Sequence, residues 1–432
     1  MTINRPTWVS EADSLVVDWR MKAFGPAQQN QTIRGLAESG IRVSDLATPV
    51  LTLDAAAVEH NIRVMGGFTA AHGVDLAPHG KTTMAPSLWR RQLDAGAWAI
   101  TVATPWQLRV AHTAGIKRII HAGAMLSESD LVDVAHRRSL DPELQVYVWA
   151  DSAQSATLMA DAYPNTAPRL QILVEGGAPG ARTGARSAAQ CLAAAHIVAN
   201  ASTLQLCGVT AWEGSLRGAH DPGGRALVAA FCDGIAEFYE AIAEDGLLSG
   251  TEDPVISAGG SSFFDVVIDR WLPRLSEAPV SPRIVLRSGC YLTHDDGLYQ
   301  RFSPLSEGPG PRLSPALNLW AQVVSKPEPG LAILNAGRRD APYDSTLPTP
   351  QRILGRDEAS SSLALTGANI TQLNDQHAYL ELDESSDVQL GEIIRCGISH
   401  PCTAFDKWAV IPIVDDASSA DPRLVGAVRT IF

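Results

Sequence analysis

The feature that most restricts the fold of this chain is a regular alternation between short apolar runs and amphipathic stretches, from about residue 48 to residue 291. The runs have the length of buried strands, and the stretches between them have the length and periodicity of helices. The eight runs lie at residues 49–54, 74–78, 99–104, 118–123, 145–151, 170–176, 204–212 and 254–260, and a ninth candidate lies at 283–289. Such an alternation predicts parallel strands with helices outside them.

Two folds satisfy this alternation, a (β/α)8 TIM-type barrel and an open doubly wound sheet. Eight strand–helix units spread over about 250 residues are typical of the barrel. The open sheet usually carries a glycine-rich phosphate loop after its first strand. The segment PVLTLDAAAVEHN, at residues 49–61, has no glycine. We therefore predict an α/β fold in which a barrel spans residues 46–304.

The pattern changes after residue 304. Residues 301–315 are rich in Pro, Gly and Ser, which is typical of a linker or surface loop. The strand-like segments beyond them have little helical periodicity, so we predict a smaller β domain over residues 305–432. The first 45 residues do not continue the barrel pattern, and we expect them to pack on that second domain. A chain of 432 residues is long enough for two domains.

Composition excludes several classes of function. The formal net charge of -13 disfavours binding to nucleic acids or to anionic membranes. The six cysteines have neither C-x-x-C spacing nor the density of a secreted disulfide framework. The sequence does not open with a signal-peptide pattern, and no apolar run is long enough to span a bilayer. These observations favour a cytoplasmic protein that acts on a small molecule.

Lysine is rare in this chain, which has five, so a lysine needed for chemistry is easy to find. Lys81 lies in the segment DLAPHGKTTMAP, just after the second predicted strand and two residues after His79. Active sites of parallel barrels gather at the C-terminal ends of the strands. A lysine there can form a Schiff base with an aldehyde cofactor if burial or neighbours lower its pKa. The alternative is an ordinary surface lysine that opens a helix.

A Gly-Gly-Ser-Ser segment, Gly259 to Ser262, follows the eighth predicted strand. Gly259 and Gly260 would let the backbone approach an anion, while Ser261 and Ser262 could donate hydroxyls and cap the next helix. Barrels often bind phosphate at their last strands. The segment is thus a candidate phosphate site, and the alternative is a plain glycine turn with a serine helix cap.

His400 and Cys402 flank a proline in the segment GISHPCTAFDKW. Side chains two residues apart point the same way in an extended segment, so one imidazole and one thiolate could share a metal ion. Two protein ligands would leave coordination positions open for water or substrate. The alternative is a buried cysteine beside an ordinary histidine.

Five further residues are weaker candidates. Arg182 could meet a cofactor ring or a carboxylate, or form a surface salt bridge. Tyr291 could contact a phosphate or only pack. Trp212 and Glu213 follow the seventh predicted strand and could line the substrate pocket or cap the barrel. His377 could reach the substrate, although a single histidine in a β domain is usually structural.

Together, six segments resemble the D-serine dehydratase and D-threonine aldolase family, whose barrel is alanine-racemase-like: PVLTLD, PHGKTT, RTG, SAGGSS, RSGCY and GISHPC. The resemblance spans most of residues 45–410. It implies that Lys81 carries pyridoxal 5′-phosphate and that the Gly259 to Ser262 segment, with Tyr291, binds the phosphate. It also implies that His400 and Cys402 hold a divalent metal, typically zinc, with manganese or cobalt as alternatives. A head-to-tail homodimer is implied as well.

The resemblance also bears on the reaction. The dehydratases of the family resemble this chain in having Cys at the position of Cys402, whereas the aldolases tend to have Asp, and HPCTAFDKW is similar to a bacterial branch that includes hydroxyaspartate dehydratases. This implies a dehydratase that converts a D-β-hydroxy amino acid, such as D-serine, D-threonine or D-threo-3-hydroxyaspartate, into a 2-oxo acid and ammonia. Retro-aldol cleavage, racemisation and non-catalytic binding of the cofactor are the alternatives.

Two departures from the family pattern affect the site. The acidic residue ahead of the R-T-G segment is Glu175, and the intervening GGAPGA makes the local loop different, which leaves the role of Arg182 open. Trp212 stands where relatives often have Tyr, and this difference bears on the choice of substrate.

Overall fold

The computed structural model describes residues 7–306 and 310–432. In chain order, the strands are β1 (Val50–Asp54), β2 (Asp75–Leu76), β3 (Ile100–Val102), β4 (Arg118–His121), β5 (Gln145–Ala150), β6 (Leu170–Gly176), β7 (Leu204–Ala211), β8 (Val255–Ala258), β9 (Arg283–Leu286), β10 (Leu317–Glu328), β11 (Leu331–Leu334), β12 (Thr349–Ile353), β13 (Asn369–Leu373), β14 (Ala378–Glu381), β15 (Ile393–Gly397), β16 (Val410–Val414) and β17 (Leu424–Arg429). The α-helices are α1 (Ile33–Ser39), α2 (Ala55–His72), α3 (Pro86–Asp94), α4 (Pro105–Thr113), α5 (Glu128–Leu140), α6 (Ala153–Ala162), α7 (Ala188–Asn200), α8 (Gly224–Glu244), α9 (Phe264–Leu275), α10 (Leu298–Phe302) and α11 (Glu358–Ala364).

Eight parallel strands form the first sheet in the order β2-β9-β8-β7-β6-β5-β4-β3. The sheet closes between its two outer strands, because the Trp98 N–H donates to the Leu76 carbonyl at 2.7 Å and the Thr101 N–H donates to the Pro78 carbonyl at 2.9 Å. Helices follow the strands, and several begin at a capping side chain, such as Thr104 before α4 and Ser187 before α7. The predicted (β/α)8 barrel is therefore present, with its strands buried.

One predicted barrel strand is wrong. The run at 49–54 became β1, which pairs antiparallel with β10 and parallel with β16 and so lies in the second sheet. The ninth candidate, at 283–289, supplies the eighth barrel strand, because β9 pairs with both β2 and β8. Apolar patterning reports that a run is buried, but it does not report which partner strand buries it.

The second sheet has nine strands, in the order β13-β14-β11-β10-β1-β16-β17, with β15 paired to both β10 and β12. Its pairs are antiparallel except for β1 with β16. Trp320 of β10 is fully buried, and its indole N–H donates to the Thr52 hydroxyl of β1 at 2.8 Å. The strand that precedes the barrel in sequence thus forms part of the core of the second sheet.

The N-terminal residues contact both parts of the molecule. The Leu424 N–H at the start of β17 donates to the Ile41 carbonyl at 2.9 Å. On the barrel side, the Trp8 indole N–H donates to the Glu59 carboxylate of α2 at 2.7 Å. The predicted domain limits, 46–304 and 305–432, stay a prediction. In the part of the chain that the structure describes, no helix is long and apolar enough to cross a membrane.

Candidate active site

A cavity of about 300 Å³ lies at the C-terminal ends of the barrel strands. Nine of the residues singled out from the sequence line it: His79, Lys81, Arg182, Trp212, Gly259, Gly260, Ser261, His400 and Cys402. The first seven come from loops that follow barrel strands, and the last two come from the connection between β15 and β16 of the second sheet. The fold therefore brings together segments that lie more than 300 residues apart in sequence.

Lys81 lies in a short 3-10 helix, Gly80–Thr82, just after β2. The turn packs against α3, because the Trp89 indole N–H donates to the Gly80 carbonyl at 3.2 Å. A Cβ atom at Gly80 would lie 2.7 Å from that indole nitrogen, so the turn needs glycine here. This packing fixes the position of the Lys81 backbone at the edge of the cavity.

Lys81 differs from the other lysines in its surroundings. Lys22, Lys117 and Lys407 form ion pairs with carboxylates, and the Lys326 ammonium donates to a backbone carbonyl. Across residues 7–306 and 310–432, the half-buried Lys81 side chain has neither an ion pair nor a hydrogen bond. Its amine is therefore available to a ligand in the cavity.

His79 and Arg287 surround the amine with further basic groups. Burial, together with the nearby charges of Lys81 and Arg287, holds the pKa of His79 well below its usual range. The His79 ring is therefore neutral near pH 7. Its Nδ1 atom is buried and has no partner among the described residues. This unpartnered atom in the cavity wall indicates a polar ligand.

Arg287, which the sequence analysis missed, is buried at the inner end of the cavity. Its guanidinium donates to the Ser257 hydroxyl at 2.6 Å, the Thr210 hydroxyl at 3.0 Å and the Ala211 carbonyl at 2.6 Å. Burial lowers the pKa of Arg287 to about 10. The group stacks at 4.9 Å on the ring of Trp149, whose buried indole N–H has no partner within the described ranges. The inner wall thus offers a fixed cation and a free donor.

In the predicted phosphate segment, two of the backbone N–H groups already have a partner within the protein. The fully buried Glu213 carboxylate accepts the backbone N–H groups of Gly259, at 3.1 Å, and Gly260, at 2.5 Å. Burial raises the pKa of Glu213 despite these bonds. In the described part of the chain, the backbone N–H groups of Ser261 and Ser262 have no hydrogen-bond partner. The backbone N–H groups available to a phosphate are therefore those of Ser261 and Ser262, and not those of Gly259 and Gly260.

The loops after β8 and β9 are tied to each other. The Ser261 hydroxyl accepts the Cys290 N–H at 3.3 Å, and the Ser288 hydroxyl donates to the Gly260 carbonyl at 2.9 Å. The Ser262 hydroxyl lies 3.3 Å from the Nε2 atom of His220. Because side chains hold this loop, the free N–H groups keep their positions without a ligand.

Arg182 lies in the loop after β6, with its guanidinium carbon 4.4 Å from the centre of the Trp212 ring. No carboxylate pairs with Arg182 in the two described ranges, which argues against a surface salt bridge as its role. Glu175 is bonded instead to the Thr183 hydroxyl at 2.7 Å, and burial raises its pKa. The Arg182 guanidinium therefore faces the cavity as a cation without an anionic partner.

Two carboxylates hold His400 in place. Its φ of 58° lies in the left-handed region, and its backbone N–H donates to the Asp295 carboxylate at 3.1 Å. The ring Nδ1 atom lies 2.5 Å from the Asp344 carboxylate, which also accepts the Thr403 hydroxyl at 2.8 Å. Burial opposes protonation, but the interactions with Cys402 and Asp344 raise the pKa of His400 to about 9.

Cys402 lies beside the His400 ring and beside a second cysteine. Its sulfur is 3.4 Å from the sulfur of Cys290 and 3.2 Å from the Thr82 hydroxyl. The hydrogen bond from Cys290, and then that from His400, hold the pKa of Cys402 well below its usual range against burial. An imidazole and a thiolate therefore lie side by side in the cavity. The segment is not extended, as the sequence analysis assumed, because His400 is left-handed and Pro401–Thr403 form a 3-10 turn.

The donor set for a metal is small. Within residues 7–306 and 310–432, no group of three or more His, Cys, Asp or Glu side chains is arranged to hold a metal ion. With Nδ1 bound to Asp344, the His400 ring has Nε2 left for a metal. The His400 and Cys402 side chains fit a site with two protein ligands, in which water or substrate completes the coordination.

Four predicted residues do not line the cavity: Glu213 and Ser262, whose contacts are given above, and Tyr291 and His377. Tyr291 is buried beside α3, where its hydroxyl accepts the Gln92 amide at 2.9 Å and burial raises its pKa to about 12. His377 is exposed in the loop between β13 and β14. Neither residue lines the cavity described above.

Sequence reasoning missed several residues that line the cavity: Thr82, Trp149, Arg287, Ser288, Gly289, Cys290 and Tyr299. Arg287, Ser288 and Gly289 end the predicted strand at 283–289, and Cys290 follows it. Their position at the C-terminal end of a strand could have marked them as site candidates. Trp149 lies within a predicted strand, where an inward-facing position could have been inferred from alternation. Nothing in the sequence around Tyr299 marked it.

Known proteins resemble this chain over nearly its whole length. Residues 316–414 match the family model of the serine dehydratase domain. A D-threonine aldolase from Arthrobacter sp. is 25% identical over 399 residues, which cover 90% of this chain and 96% of that enzyme. These matches support the resemblance of the chain to the D-serine dehydratase and D-threonine aldolase family.

Solved structures agree on the fold. A D-threonine aldolase from Filomicrobium marinum matches with a TM-score of 0.75 at 23% identity, covering 90% of this chain and 97% of that one. The D-threo-3-hydroxyaspartate dehydratase from Delftia sp. HT23 matches with a TM-score of 0.67 at 20% identity, covering 89% and 98%. The predicted alanine-racemase-like barrel with a second β-rich part is confirmed. The family-model match includes His400 and Cys402.

Proposed function

We propose that this chain is a pyridoxal-phosphate- and metal-dependent lyase that converts a D-β-hydroxy amino acid into a 2-oxo acid and ammonia. The observation that carries the proposal is the unpaired Lys81 amine in the same cavity as the His400 and Cys402 pair. The names of the similar proteins, a D-threonine aldolase and a D-threo-3-hydroxyaspartate dehydratase, support a substrate of this class.

The residues present fit pyridoxal 5′-phosphate. The Lys81 amine would attach its aldehyde, and the free N–H groups of Ser261 and Ser262 would receive its phosphate at the start of α9. The unpartnered polar atoms of His79 and Trp149 would lie beside its ring. When bound, the cofactor supplies an electron-withdrawing ring that stabilises negative charge at the substrate Cα.

Lys81 is also the proposed base. The Lys81 Nζ would accept the proton from the substrate Cα. Arg182 and Arg287 present positive charge to the same space without anionic partners. These cations would orient anionic groups of the cofactor and the substrate, so that the Cα–H bond faces Lys81.

His400 and Cys402 are the proposed metal ligands. Imidazole and thiolate are preferred ligands of zinc, and a metal there would supply a Lewis acid for the β-hydroxyl group. The Asp344 carboxylate holds Nδ1 of His400, which would leave Nε2 to bind a metal. Asp295, which accepts the His400 backbone N–H, keeps the residue in its left-handed conformation.

Retro-aldol cleavage is the second candidate, because the similar curated protein from Arthrobacter sp. is an aldolase. The two reactions give different products from the same substrate. The purified protein is incubated with D-serine, D-threonine and D-threo-3-hydroxyaspartate, and 2-oxo acid, ammonia and glycine are measured. We expect 2-oxo acid and ammonia in equal amounts. Glycine as the main product would assign an aldolase, and cofactor binding without turnover would leave a carrier.

Three further statements belong to the proposal. Zinc is the metal that we expect, because a thiolate and an imidazole suit it. A homodimer and a cytoplasmic location are also proposed. A racemase would need a second base on the opposite face of the cofactor, and the sequence offered no clear tyrosine for that role.

A further inference from the structure

The two cysteines in the cavity are arranged differently from the other four. Cys290 follows β9 of the barrel and Cys402 lies between β15 and β16, yet their sulfur atoms are 3.4 Å apart. The remaining cysteines are buried and, across the described residues, have no second thiol in contact: Cys191, Cys207, Cys232 and Cys396. The two thiols of this pair are therefore close enough to react with each other, whereas the other four are not.

Access to the pair is asymmetric. Cys402 is half-buried, whereas Cys290 is 5% exposed. Both line the cavity, and Cys402 is the more exposed of the two. The Thr82 hydroxyl, 3.2 Å from Cys402 and 3.8 Å from Cys290, lies beside both sulfurs.

We propose that Cys290 and Cys402 are a peroxide-sensitive dithiol, a modification site that closes to a disulfide. In the first step, the Cys402 thiol attacks hydrogen peroxide, so that an S–O bond forms, the O–O bond breaks and water leaves. In the second step, the Cys290 sulfur attacks the sulfenic acid, so that the S–S bond forms and a second water leaves. Overall, two thiols and one peroxide give one disulfide and two waters.

The disulfide would have two consequences. It would link the loop after β9 to the connection between β15 and β16, across 112 positions of the chain. It would also consume the Cys402 thiolate, which is one of the two ligands in the proposed function, so the oxidised protein would not hold a metal there. Only this second consequence rests on the proposed function, whereas formation of the disulfide does not.

The experiment measures the oxidation state of the two thiols directly. The purified full-length protein, with and without prior chelation, is exposed to equimolar hydrogen peroxide, its free thiols are alkylated, and it is digested without reductant for mass spectrometry. We expect a peptide pair joined through Cys290 and Cys402 that disappears on reduction. Oxidation of Cys402 to sulfinic acid without that pair, or full alkylation of both residues, would overturn the proposal.

Two variants sharpen the result. Cys290→Ser should leave Cys402 without a resolving thiol, so its oxidation should proceed to a form that thiol reductants do not reverse. Cys191→Ala, which removes a buried cysteine from α7, should form the same cross-link as the unmodified sequence. A protein that lacks lyase turnover while reduced, yet forms the disulfide on exposure to peroxide, would refute the proposed function alone.

Discussion

The cavity has two sides of opposite charge. The barrel side is formed by the loops that follow the barrel strands, and the metal side is formed by His400, Cys402 and the carboxylates around them. On the barrel side, Lys81, Arg182 and Arg287 have no ion pair with a carboxylate in the parts of the chain that the structure describes. The nearby Glu175 and Glu213 are buried, and their carboxylates are bonded to the Thr183 hydroxyl and to the backbone N–H groups of Gly259 and Gly260 instead of to these cations. This side therefore has spare positive charge for an anionic ligand.

The metal side has the reverse arrangement. Asp295 and Asp344 both bind His400, and Cys402 has a pKa well below that of an ordinary thiol. Negative groups therefore outnumber the single imidazolium here. The contrast indicates that a phosphate-bearing cofactor suits the barrel side and a cation suits the metal side, with the substrate between them.

The largest expected effect is that of Lys81→Ala, which removes the amine from the barrel side. We expect kcat to fall by about a thousandfold or more, because both cofactor attachment and the base are lost. Lys117→Ala, on the outside of the barrel, is the matched control and should keep normal turnover. A Lys81→Ala protein within about tenfold of normal kcat would remove Lys81 from the mechanism.

Removal of the metal tests the other side. Chelation or His400→Ala should lower kcat by about a hundredfold, because the leaving group loses its Lewis acid. The absorbance of the bound cofactor should remain, since its attachment lies on the barrel side. His136→Ala, an exposed histidine in α5, is the control. Full turnover after chelation would make the His400 segment structural only.

A smaller effect is expected at Asp344. Asp344→Ala should weaken metal binding about tenfold, measured by competition with a chelator of known affinity, because His400 loses the partner of its Nδ1 atom. Asp344→Asn keeps an acceptor oxygen and should restore part of the affinity. Asp375→Ala removes an exposed carboxylate from the loop between β13 and β14 and should not change metal affinity. Unchanged affinity in Asp344→Ala would show that the contact does not position His400.

The smallest effect concerns the choice of reaction. Cys402→Asp replaces a soft ligand by a hard one, and we expect the ratio of glycine to 2-oxo acid formed from D-threonine to rise, by less than about tenfold. If the loop around Trp212 sets the reaction instead, the ratio will not move in a variant that still binds metal. Metal content is measured in the same samples, so that loss of the site is recognised.

The sequence predicted the fold and the site best where the prediction depends only on residues that are close together in the chain. The alternation of runs predicted a barrel, and the strand-end rule placed Lys81 and the serines Ser261 and Ser262 at its active edge. The two-residue spacing drew attention to His400 and Cys402, although the segment is a left-handed residue followed by a 3-10 turn and not the extended stretch that the spacing argument assumed. Each of these inferences needs only neighbours in the chain.

The misses share one physical cause, which is competition between distant groups. The β1 run is as apolar as a barrel strand, and the second sheet outcompetes the barrel for it through β10 and β16. Glu213 takes the N–H groups of Gly259 and Gly260 from 46 and 47 positions away. The Tyr291 hydroxyl is bound to Gln92 of α3. No local pattern reports such partners.

The most direct test of the account is to find where the cofactor is attached. The purified protein is reduced with borohydride, which makes the bond between cofactor and lysine permanent, and the labelled peptide is identified by mass spectrometry. The account predicts one labelled peptide, containing Lys81, and a visible absorbance that reduction removes. A label on any of the other four lysines, or a protein that binds pyridoxal phosphate without a reducible bond, would contradict it.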